Sequence, residues 1–332
     1  MIAAQLLKHL VAHPAEEMSA SDSEELFSAM LGGGIPEIEL GAILAALAWR
    51  RPGAGELSGL YAATRVHVAR LDHPAGASTR MRPLVIPSYH GTREHANLMP
   101  LIAMLAARFG LPVVVHGTLE AQGRIASAAI FRELGVLPCS SLREAQATLN
   151  EGRIAYLPTA LLSPALMQLL SLRHRLGFPN WAQEVAGLID PFDGEGLKLL
   201  PAGDAEQAAS LAAVLTEHSG HALLFHGGEG EAYADPQQRP AIEQFTAGEH
   251  HTLFDAEPLH VAAGVQRHAR LPEHPDARST ARWTRDALAG QVPLPPPITN
   301  LLSCCLYAAG YTEDFNQSKA IVAVRTHSLA VA

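Results

Sequence analysis

Three short segments of the sequence place polar, charged and glycine residues directly after apolar runs. They read PSYHGTRE at 87–94, HGTLE at 116–120 and HGGEGEAY at 226–233. The first combines hydroxyls, a cation and backbone N–H groups just before an apolar helical segment, and that combination binds phosphate. It contains a single glycine, however, and one glycine alone is more typical of an ordinary strand-to-helix turn. The other two repeat a histidine and a glycine after a strand, which favours a shared pocket, although a lone histidine there is more often structural.

The segments around these loops predict α/β architecture. Short apolar runs, RPLVIP, LPVVVHG, RIAYLP and HALLFHG, alternate with helical patterns at 97–109 and 123–134. Strands separated by helices indicate βαβ units and a mostly parallel central sheet. Ligands bind such sheets outside the carboxyl ends of the strands, where the three loops emerge. Further helices are predicted at 278–289 and from about residue 298.

The N-terminal part of the chain has a different pattern. Residues 1 to about 70 have helical periodicity without strand runs, and LDHPAGAST at 71–79 is typical of a linker. We therefore predict a small helical domain at 1–72 and a larger α/β domain with C-terminal helices at 80–332.

Composition narrows the class of protein. The 332 residues are 48% hydrophobic and include three cysteines without paired spacing, Cys139, Cys304 and Cys305. This pattern argues against a disulfide framework or zinc site and predicts reduced, cytoplasmic thiols. Neither a signal sequence nor an apolar run of about 18 residues is present, so we expect no membrane insertion. The net charge of −9 gives no global attraction to nucleic acid, and any polyanion site must be local.

Several strings in their order resemble the anthranilate phosphoribosyltransferase family, which has a family-3 glycosyltransferase or nucleoside phosphorylase-like fold. They are MLGGGIPEIELGAILAALAWR, LPVVVHG, SPALMQLLSLRHRLGFPNWAQEVAGLIDPF and NLLSCCLYAAG. The first and third loops are most similar to the divergent YbiB-type branch, whose members look like SYxGxRxxxN and HGxEGExYA. The resemblance covers nearly the whole chain. It implies a small helical domain that mediates homodimerisation, in a fold related to tryptophan biosynthesis.

Enzymes of this family bind phosphoribosyl pyrophosphate with magnesium and transfer its ribosyl group to an aromatic amine. The resemblance assigns the phosphate side of the cleft to Ser88, Tyr89, His90, Gly91, Thr92, Arg93, Asn97, His116, Gly117 and Thr118. The enzymes' GTGGD loop falls on Pro87 to Gly91, their lysine before HG on Val115, and the asparagine after it on Thr118. These residues contact the phosphorylated donor in the enzymes, and all of them are replaced here. Their joint loss indicates a protein that no longer catalyses the reaction.

The magnesium and acceptor sides also differ from the enzymes. The Asp-Glu pair that holds magnesium falls on Ala232 and Tyr233. Glu229 and Glu231 are nearby oxygen ligands for magnesium if transferase activity persists, although glutamates on a loop are more often solvated; otherwise we expect no cofactor. On the acceptor side, the enzymes have a histidine in the string HPAMK, and this position is Ser163 here. Their string RTIFN is replaced by PNWAQ at 179–183. The arginine that precedes LG in the enzymes is kept as Arg173.

Two functions from different classes remain open. The first, implied by the YbiB-type branch, is non-specific binding of single- or double-stranded DNA or RNA by a non-catalytic homodimer. The second is a phosphoribosyltransferase for anthranilate or another aromatic amine, favoured by His116-Gly117 and Arg173 and opposed by the lost donor contacts. A small-molecule sensor that keeps the cleft without the chemistry is a third, simpler alternative.

Nucleic-acid binding requires cations along a surface. The candidates are Arg50, Arg51, Arg93, Arg173, Arg175, Arg278, Arg282 and Arg285, the last three at i, i+4 and i+7 of a predicted helix. Trp283 and Tyr89 are candidates for base stacking. Histidines that gain charge somewhat below neutral pH would strengthen binding there: His90, His95, His174, His250, His251 and His268. The neighbouring acids Glu94 and Asp286 oppose it.

Overall fold

A computed structural model describes residues 7–326 apart from 9, 11, 14, 79, 237, 259–270, 273 and 274. The predicted helix AAQLLKHLVAH lies partly outside the described residues, and His268 lies outside them. The helices are α1 Ala20–Leu31, α2 Glu37–Leu47, α3 Ala54–Arg65, α4 Met99–Arg108, α5 Ser127–Glu133, α6 Leu142–Asn150, α7 Thr159–Leu162, α8 Pro164–Ser171, α9 Arg173–Leu176, α10 Ala182–Ala186, α11 Ala205–Glu217, α12 Ala277–Leu288, α13 Pro296–Ala308 and α14 Phe315–Arg325. The strands are β1 Leu84–Ser88, β2 Val113–Gly117, β3 Ala155–Pro158, β4 Leu197–Ala202, β5 Ala222–Gly228, β6 Glu231–Ala234, β7 Gln238–Arg239, β8 Ile242–Thr246, β9 Glu249–Phe254 and β10 Glu257–Pro258.

The central sheet confirms the predicted α/β class. Its order is β3-β2-β1-β4-β5-β8-β9, with β6 paired to β5. The first five strands of this order are parallel to one another, and β8 and β9 extend the sheet in antiparallel pairing. A separate antiparallel ladder joins β7 to β10. The sheet is therefore mostly parallel, as the alternation of apolar runs and helical segments predicts.

Helices cover both faces of the sheet, which explains why the parallel strands are apolar on both sides. Successive residues of β4 point to opposite faces: Leu199 packs in the cluster that includes α4, α12 and α13, and Leu200 in the cluster that includes α1, α2 and α3. In the second cluster, Phe27 and Leu60 of the N-terminal helices share one apolar core with Leu224 of β5. The division into domains at 1–72 and 80–332 stays a prediction.

Parallel strands bring the three predicted loops to one edge. Ser88, at the end of β1, lies in register with Gly117, at the end of β2, and Gly117 lies in register with Pro158 of β3. On the other side of β1, the end of β4 is in register with His226 of β5. The polar segments that follow these strands are therefore neighbours in space.

Two expectations from composition concern the cysteines and the membrane. All three cysteines are free thiols with buried side chains, and Cys304 and Cys305 belong to α13 and pack in the core. Within the described ranges, no helix is both long and apolar enough to cross a membrane.

Candidate functional site

The single glycine of the first loop serves packing within the chain. Gly91 has a φ of +64°, and a Cβ there would lie 2.8 Å from both the Cβ of Ala121 and the carbonyl oxygen of Ile125. The next residue, Thr92, donates its N–H to the carbonyl of Ile125 at 3.1 Å and accepts the N–H of Ile125 at 2.7 Å. Gly91 is therefore needed for close contact between the first and second loops.

The carboxylate of Glu231 lies inside the first loop. Its side chain is fully buried. One oxygen accepts the backbone N–H groups of His90 at 2.9 Å and Gly91 at 2.7 Å. The other accepts the hydroxyls of Ser88 at 3.0 Å and Ser127 at 2.7 Å. Four donors thus surround one carboxylate, as they would surround an oxyanion ligand.

Glu229 occupies the second half of the same loop. Its oxygens accept the backbone N–H groups of Arg93 at 2.8 Å, Glu94 at 3.0 Å and His95 at 2.9 Å. The guanidinium of Arg124 completes the contact, 3.0 Å from Oε2. Glu229 itself has a positive φ of +53°, in the left-handed region that non-glycine residues seldom adopt.

Every backbone N–H from residue 90 to residue 95 consequently has a partner within the chain. Five of these groups donate to Glu229 or Glu231, and that of Thr92 donates to Ile125. A phosphate binds such a loop through unpaired N–H groups. The stretch that resembles the enzymes' pyrophosphate loop is therefore filled by carboxylates of the protein itself.

The surroundings of Glu229 favour its charged form. Burial by itself would raise the pKa of this carboxyl, but the N–H groups of the first loop and the Arg124 guanidinium outweigh it and hold the pKa below its ordinary value. The contact between the third loop and the first is thus charge-assisted.

Magnesium does not fit this arrangement. A Mg²⁺ ion requires near-octahedral oxygen ligands with free lone pairs. Both carboxylates that were considered as ligands, Glu229 and Glu231, direct their oxygens at N–H, O–H and guanidinium donors instead. The residues at the places of the enzymes' Asp-Glu pair, Ala232 and Tyr233, are buried in β6. No group of three or more potential metal ligands occurs in the described part of the chain.

The second loop contributes a neutral histidine. His116 is fully buried, and its Nδ1 lies 2.9 Å from the hydroxyl of Tyr89, which also accepts the hydroxyl of Thr159 at 3.2 Å. Burial lowers the pKa of His116 to about 3, so the ring is uncharged at neutral pH. It therefore supplies no cation for a phosphate. Its Nε2 is buried and has no hydrogen-bond partner among the described residues.

The other residues predicted for the phosphate side hold the loops together. The amide of Asn97 donates to Ser127 at 2.9 Å and caps α4 by accepting the N–H of Met99 at 3.1 Å. Thr118 donates its N–H to the carbonyl of Ser88 at 3.1 Å. A Cβ at Gly117 would collide with that same carbonyl. These contacts fix the backbone and leave the first loop closed.

An open cavity of about 270 Å³ lies beside the closed loop. Tyr89, Met167, Leu170, Arg173 and His174 are among the residues that line it. Arg173, predicted for the acceptor side, is half-buried there. The amide of Gln122 donates to Nδ1 of His174 at 2.6 Å and connects the second loop to α9.

The arginines considered for nucleic-acid binding fall in three places. Arg93 and Arg173 lie near residues 122–123, since Arg93 approaches Gly123 and Arg173 lines the cavity together with Gln122, and Arg175 lies beside Glu37 of α2. Arg278, Arg282 and Arg285 are exposed on one side of α12, where Arg285 also donates to the carbonyl of Glu133. Arg50 and Arg51 lie in the N-terminal helical part of the chain.

Arg50 is engaged in internal contacts that oppose its predicted role. It binds both oxygens of the buried Glu56, at 2.5 and 2.6 Å, and stacks over Trp181. Arg51 pairs with Asp204 at 2.5 Å, but both side chains are nearly half exposed. The role predicted for Arg51 therefore stays a prediction.

The predicted stacking residues are also buried. Trp283 is 7% exposed and packs in the core under α12, and Tyr89 is 6% exposed. Neither ring presents a face to the outer surface. Trp49, by contrast, is 86% exposed.

Sequence reasoning missed Arg124, Ser127 and Gln122. The first two bind the carboxylates of the third loop, and Gln122 reaches α9. The string QGRIAS at 122–127 gives little sign of these roles, because His174, Glu229 and Glu231 lie 52 or more positions in the chain from the residues that bind them.

The chain is similar to known proteins over much of its length. A model described as "Glycosyl transferase family, helical bundle domain" matches residues 4–68. The uncharacterized protein YbiB of Escherichia coli K12 is 37% identical over 300 residues, which are 89% of this chain and 90% of that protein. Anthranilate phosphoribosyltransferase of Rhodopirellula baltica is 28% identical over 66% of this chain and 63% of its own length.

Two solved structures share the fold. Anthranilate phosphoribosyltransferase from Thermus thermophilus superposes with a TM-score of 0.72 at 21% identity, over 99% of this chain and 95% of that one. The enzyme from Saccharomyces cerevisiae, solved in complex with PRPP and Mg, gives a TM-score of 0.66 at 15% identity, over 98% and 93%.

Proposed function

This chain belongs to the YbiB-type divergent branch of the anthranilate phosphoribosyltransferase family, and from that premise we propose that it is a non-catalytic member that binds nucleic acid non-specifically as a homodimer. The observation that carries this proposal is the filled first loop. The N–H groups of residues 90–95 all have internal partners, and Glu231 is fully buried among them. A phosphorylated donor would meet two carboxylates where the enzymes present open donors, so electrostatic repulsion opposes its binding.

The closed loop leaves a cationic surface at its rim. Arg93, His174 and Arg175 are exposed, and Arg173 is half-buried beside them. Arg175 is 3.9 Å from Glu37, but both side chains are largely exposed, so the pair is weak and leaves the cation available. Phosphates of a nucleic-acid backbone require local cations of this kind in a protein whose net charge is −9. The acids Glu94 and Glu120 reduce the potential of this surface and predict modest affinity.

A second cationic strip supports the same function. Arg278, Arg282 and Arg285 project from one side of α12, which packs against α5. Helix α5 begins at Ser127, shortly after Gln122 and Arg124 in the chain.

Helix α2 supports a homodimer. Its inner side is buried in the core through Ile43, Leu44 and Leu47. Its outer side carries an exposed apolar stripe of Ile38, Ala42, Ala45 and the following Trp49. Ile38 and Trp49 are 87% and 86% exposed. A helix that is apolar on all sides is normally buried, and a second copy of the chain is the partner that the family fold predicts.

The apolar stripe of α2 and the cationic surface are adjacent. Glu37, which lies 3.9 Å from Arg175, immediately precedes Ile38 in α2. If two copies pair through α2, we expect Arg173 and Arg175 of both copies to border one groove. A shared groove doubles the number of phosphate contacts and compensates for the acidic surface.

Fluorescence anisotropy of a labelled single-stranded oligonucleotide at low and moderate salt tests this proposal. We expect binding that weakens steeply with salt, and a smaller salt dependence in the double variant Arg173→Ala, Arg175→Ala, because each lost phosphate contact lowers the slope by about 0.7 for a single strand. Arg153→Ala is the matched control, since Arg153 is exposed and paired with its near neighbour Glu151. Absence of binding at low salt would overturn the proposal.

The alternative is a phosphoribosyltransferase with a remodelled pocket. The open cavity beside Arg173 is the observation in its favour. The filled first loop and the absence of free magnesium ligands in Glu229 and Glu231 oppose it. Incubation with phosphoribosyl pyrophosphate, Mg²⁺ and 2-aminobenzoate decides: we expect no release of pyrophosphate, and release above that of an Arg173→Ala control would establish the transferase instead.

A further inference from the structure

We infer that Glu229 is an internal competitor for phosphate. Its carboxylate occupies a cradle of donors, formed by residues 93–95 and Arg124, that receives one phosphate group of a bound nucleic acid when the Glu229 side chain turns away. This inference rests on the proposed nucleic-acid binding and adds to it a contact that controls access. The backbone part of the cradle lies beyond Pro87 to Gly91, the stretch on which the enzymes' pyrophosphate loop falls.

The donors of the cradle match the oxygens of a phosphate group. Glu229 accepts three consecutive backbone N–H groups, at 2.8, 3.0 and 2.9 Å for residues 93, 94 and 95. The guanidinium of Arg124 lies 3.0 Å from its Oε2 atom. Successive N–H groups that converge on one anion, together with a guanidinium, form a combination that binds phosphate. The Glu229 carboxylate therefore takes the place that phosphate oxygens would occupy.

The cradle is held in shape by contacts that do not involve the Glu229 carboxylate. The carbonyl oxygen of Gly91 accepts Nε of Arg124 at 3.1 Å and a terminal N–H group of the same guanidinium at 2.9 Å. Thr92 and Ile125 exchange backbone hydrogen bonds directly before residue 93. Departure of the carboxylate would therefore leave the donors in place and unpaired, and such donors attract another anion.

The two carboxylates of the third loop differ in their access to solvent. Glu231 is fully buried, whereas the side chain of Glu229 is 18% exposed and that of Arg124 is 28% exposed. The residues 93–95 that donate to Glu229 are themselves exposed. Rotation of the Glu229 side chain into solvent therefore uncovers the cradle, while Glu231 keeps the inner half of the first loop closed. One phosphate group can enter, and a pyrophosphate that spans both halves is still excluded.

The charges around the cradle favour an anion once Glu229 has turned away. Arg124 and the exposed Arg93 are cations, and Nδ1 of His95 lies 3.4 Å from Oε1 of Glu229. The exposed Glu94 opposes them. Arg93 also belongs to the cationic surface proposed for nucleic acid, so a phosphate in the cradle would extend that surface.

Thermal unfolding in the presence of inorganic phosphate tests the cradle. Glu229→Ala removes the carboxylate, so the unfolding temperature of this variant should rise by several degrees in phosphate relative to NaCl of equal ionic strength. Glu229→Gln should respond less, because its amide oxygen still accepts the N–H groups. Adding Arg124→Ala to Glu229→Ala should abolish the response. Glu249→Ala, which removes an acid that is 80% exposed, is the matched control and should respond as the unmodified protein does.

Fluorescence anisotropy with a labelled oligonucleotide tests the competition itself. We expect Glu229→Ala to bind about tenfold more tightly than Glu249→Ala, because the open cradle is then no longer a minor state. Both variants lose one negative charge, so the general effect of net charge is the same in the two. Glu229→Gln compared with Glu249→Gln provides the same test with a smaller gain, and decides if the alanine variant does not fold.

The outcomes separate the two proposals. Salt-dependent binding with equal affinities for the Glu229 and Glu249 variants would overturn the competition and leave nucleic-acid binding intact. Equal thermal responses to phosphate in these variants would also overturn it. A phosphate response without a gain in affinity for the oligonucleotide would show that the cradle takes free phosphate only, which contradicts the inference. Absence of oligonucleotide binding at low salt in every variant and in the unmodified protein would overturn both proposals.

Discussion

The carboxylate of Glu231 accepts a hydrogen bond from the hydroxyl of Ser88 at 3.0 Å, although the two residues are 143 positions apart in the chain. This contact joins the third loop to the first at the edge of the sheet where a phosphorylated ligand would bind. Glu231, a side chain of the protein itself, thus occupies the place of an anionic ligand in the first loop. Any external anion must compete with a group that is covalently held in place.

Replacing Glu231 by alanine is expected to destabilise the protein strongly. The N–H groups of His90 and Gly91 and the hydroxyl of Ser127 would lose their acceptor, and each buried donor left unpaired costs about 1–3 kcal/mol. Glu231→Gln should cost much less, because the amide keeps one oxygen for the N–H groups and the two hydroxyls can rotate to accept. Urea unfolding of both variants measures the difference.

Glu249→Ala is the control for this experiment, since the Glu249 side chain is 80% exposed. Its unfolding midpoint should match that of the unmodified protein. Equal midpoints for Glu231→Ala and Glu249→Ala would contradict the role assigned to the buried carboxylate.

Stability should depend on pH through Glu229. The pKa of this carboxyl is held below its ordinary value of 4.5, against the effect of burial, by the N–H groups of the first loop and by Arg124. Its contribution is therefore fully present above the pKa that glutamate has in the unfolded chain, and is lost as the pH falls through the lower pKa of the folded state. Glu229→Gln should lower the unfolding temperature at pH 7 and have progressively less effect below pH 4.5.

Unfolding temperatures of both proteins between pH 7 and pH 3.5 provide the measurement. The exposed acid Glu249, replaced by glutamine, serves as the control and should give a difference near zero throughout. A difference between Glu229→Gln and the unmodified protein that stays constant over this range would count against the charge-assisted contact.

The sequence predicts the central sheet well because each strand and each helix has its own local hydrophobic pattern. Apolar runs such as LPVVVHG alternate with helical segments, and the parallel pairing of β1 with β2 and of β4 with β5 follows from that order. It also follows that the three loops share one edge. The exposed arginines of α12 were predicted from helical spacing alone, and their exposure is observed.

The contacts within the site could not be predicted in this way. Glu229 and Glu231 were interpreted as solvated residues or metal ligands, because their partners lie 104 or more positions away and no local pattern marks them. Arg50 looks like a surface cation in sequence, yet Glu56 and Trp181 enclose it once the chain folds. Trp283 lies between exposed arginines on α12 but faces the core, which depends on how that helix packs.

Lys198 is a buried cation that should cost stability. It is 1% exposed in β4, and burial lowers the pKa of its ammonium group, with Asp190 opposing the shift. The carboxylate of Asp190 is already occupied by the N–H groups of Phe192, Gly194 and Gly196. We expect Lys198→Met to raise the free energy of unfolding at pH 7 by about 1–3 kcal/mol, because methionine fills a similar volume without the charge.

The pH dependence gives this prediction a second test. A lowered folded pKa means that the unmodified protein loses stability as the pH falls from the ordinary lysine pKa of 10.5 toward the folded value. The advantage of Lys198→Met should therefore be largest near neutral pH and shrink toward pH 10. Lys8→Met, at an exposed position, is the control. A variant less stable than the unmodified protein at both pH values would show that the ammonium group has a favourable role.

Dimerisation through α2 can be tested independently of any ligand. Ile38 and Trp49 lie at the two ends of the exposed apolar stripe of that helix, and their exposure would end if a second copy packed there. Ile38→Glu combined with Trp49→Glu should convert the dimer to a monomer, because four charges would then be buried at the twofold contact. Sedimentation or light scattering measures the mass, and circular dichroism verifies that the monomer is folded.

Leu137→Glu and Val324→Glu, at exposed apolar positions of the α/β part, are matched controls that should remain dimeric. If the α2 variant keeps the mass of the unmodified protein while the controls dissociate, the stripe is not the dimer contact. If the α2 variant is monomeric and folded, its affinity for a single strand should fall as well, because each groove then loses the arginines of the second copy.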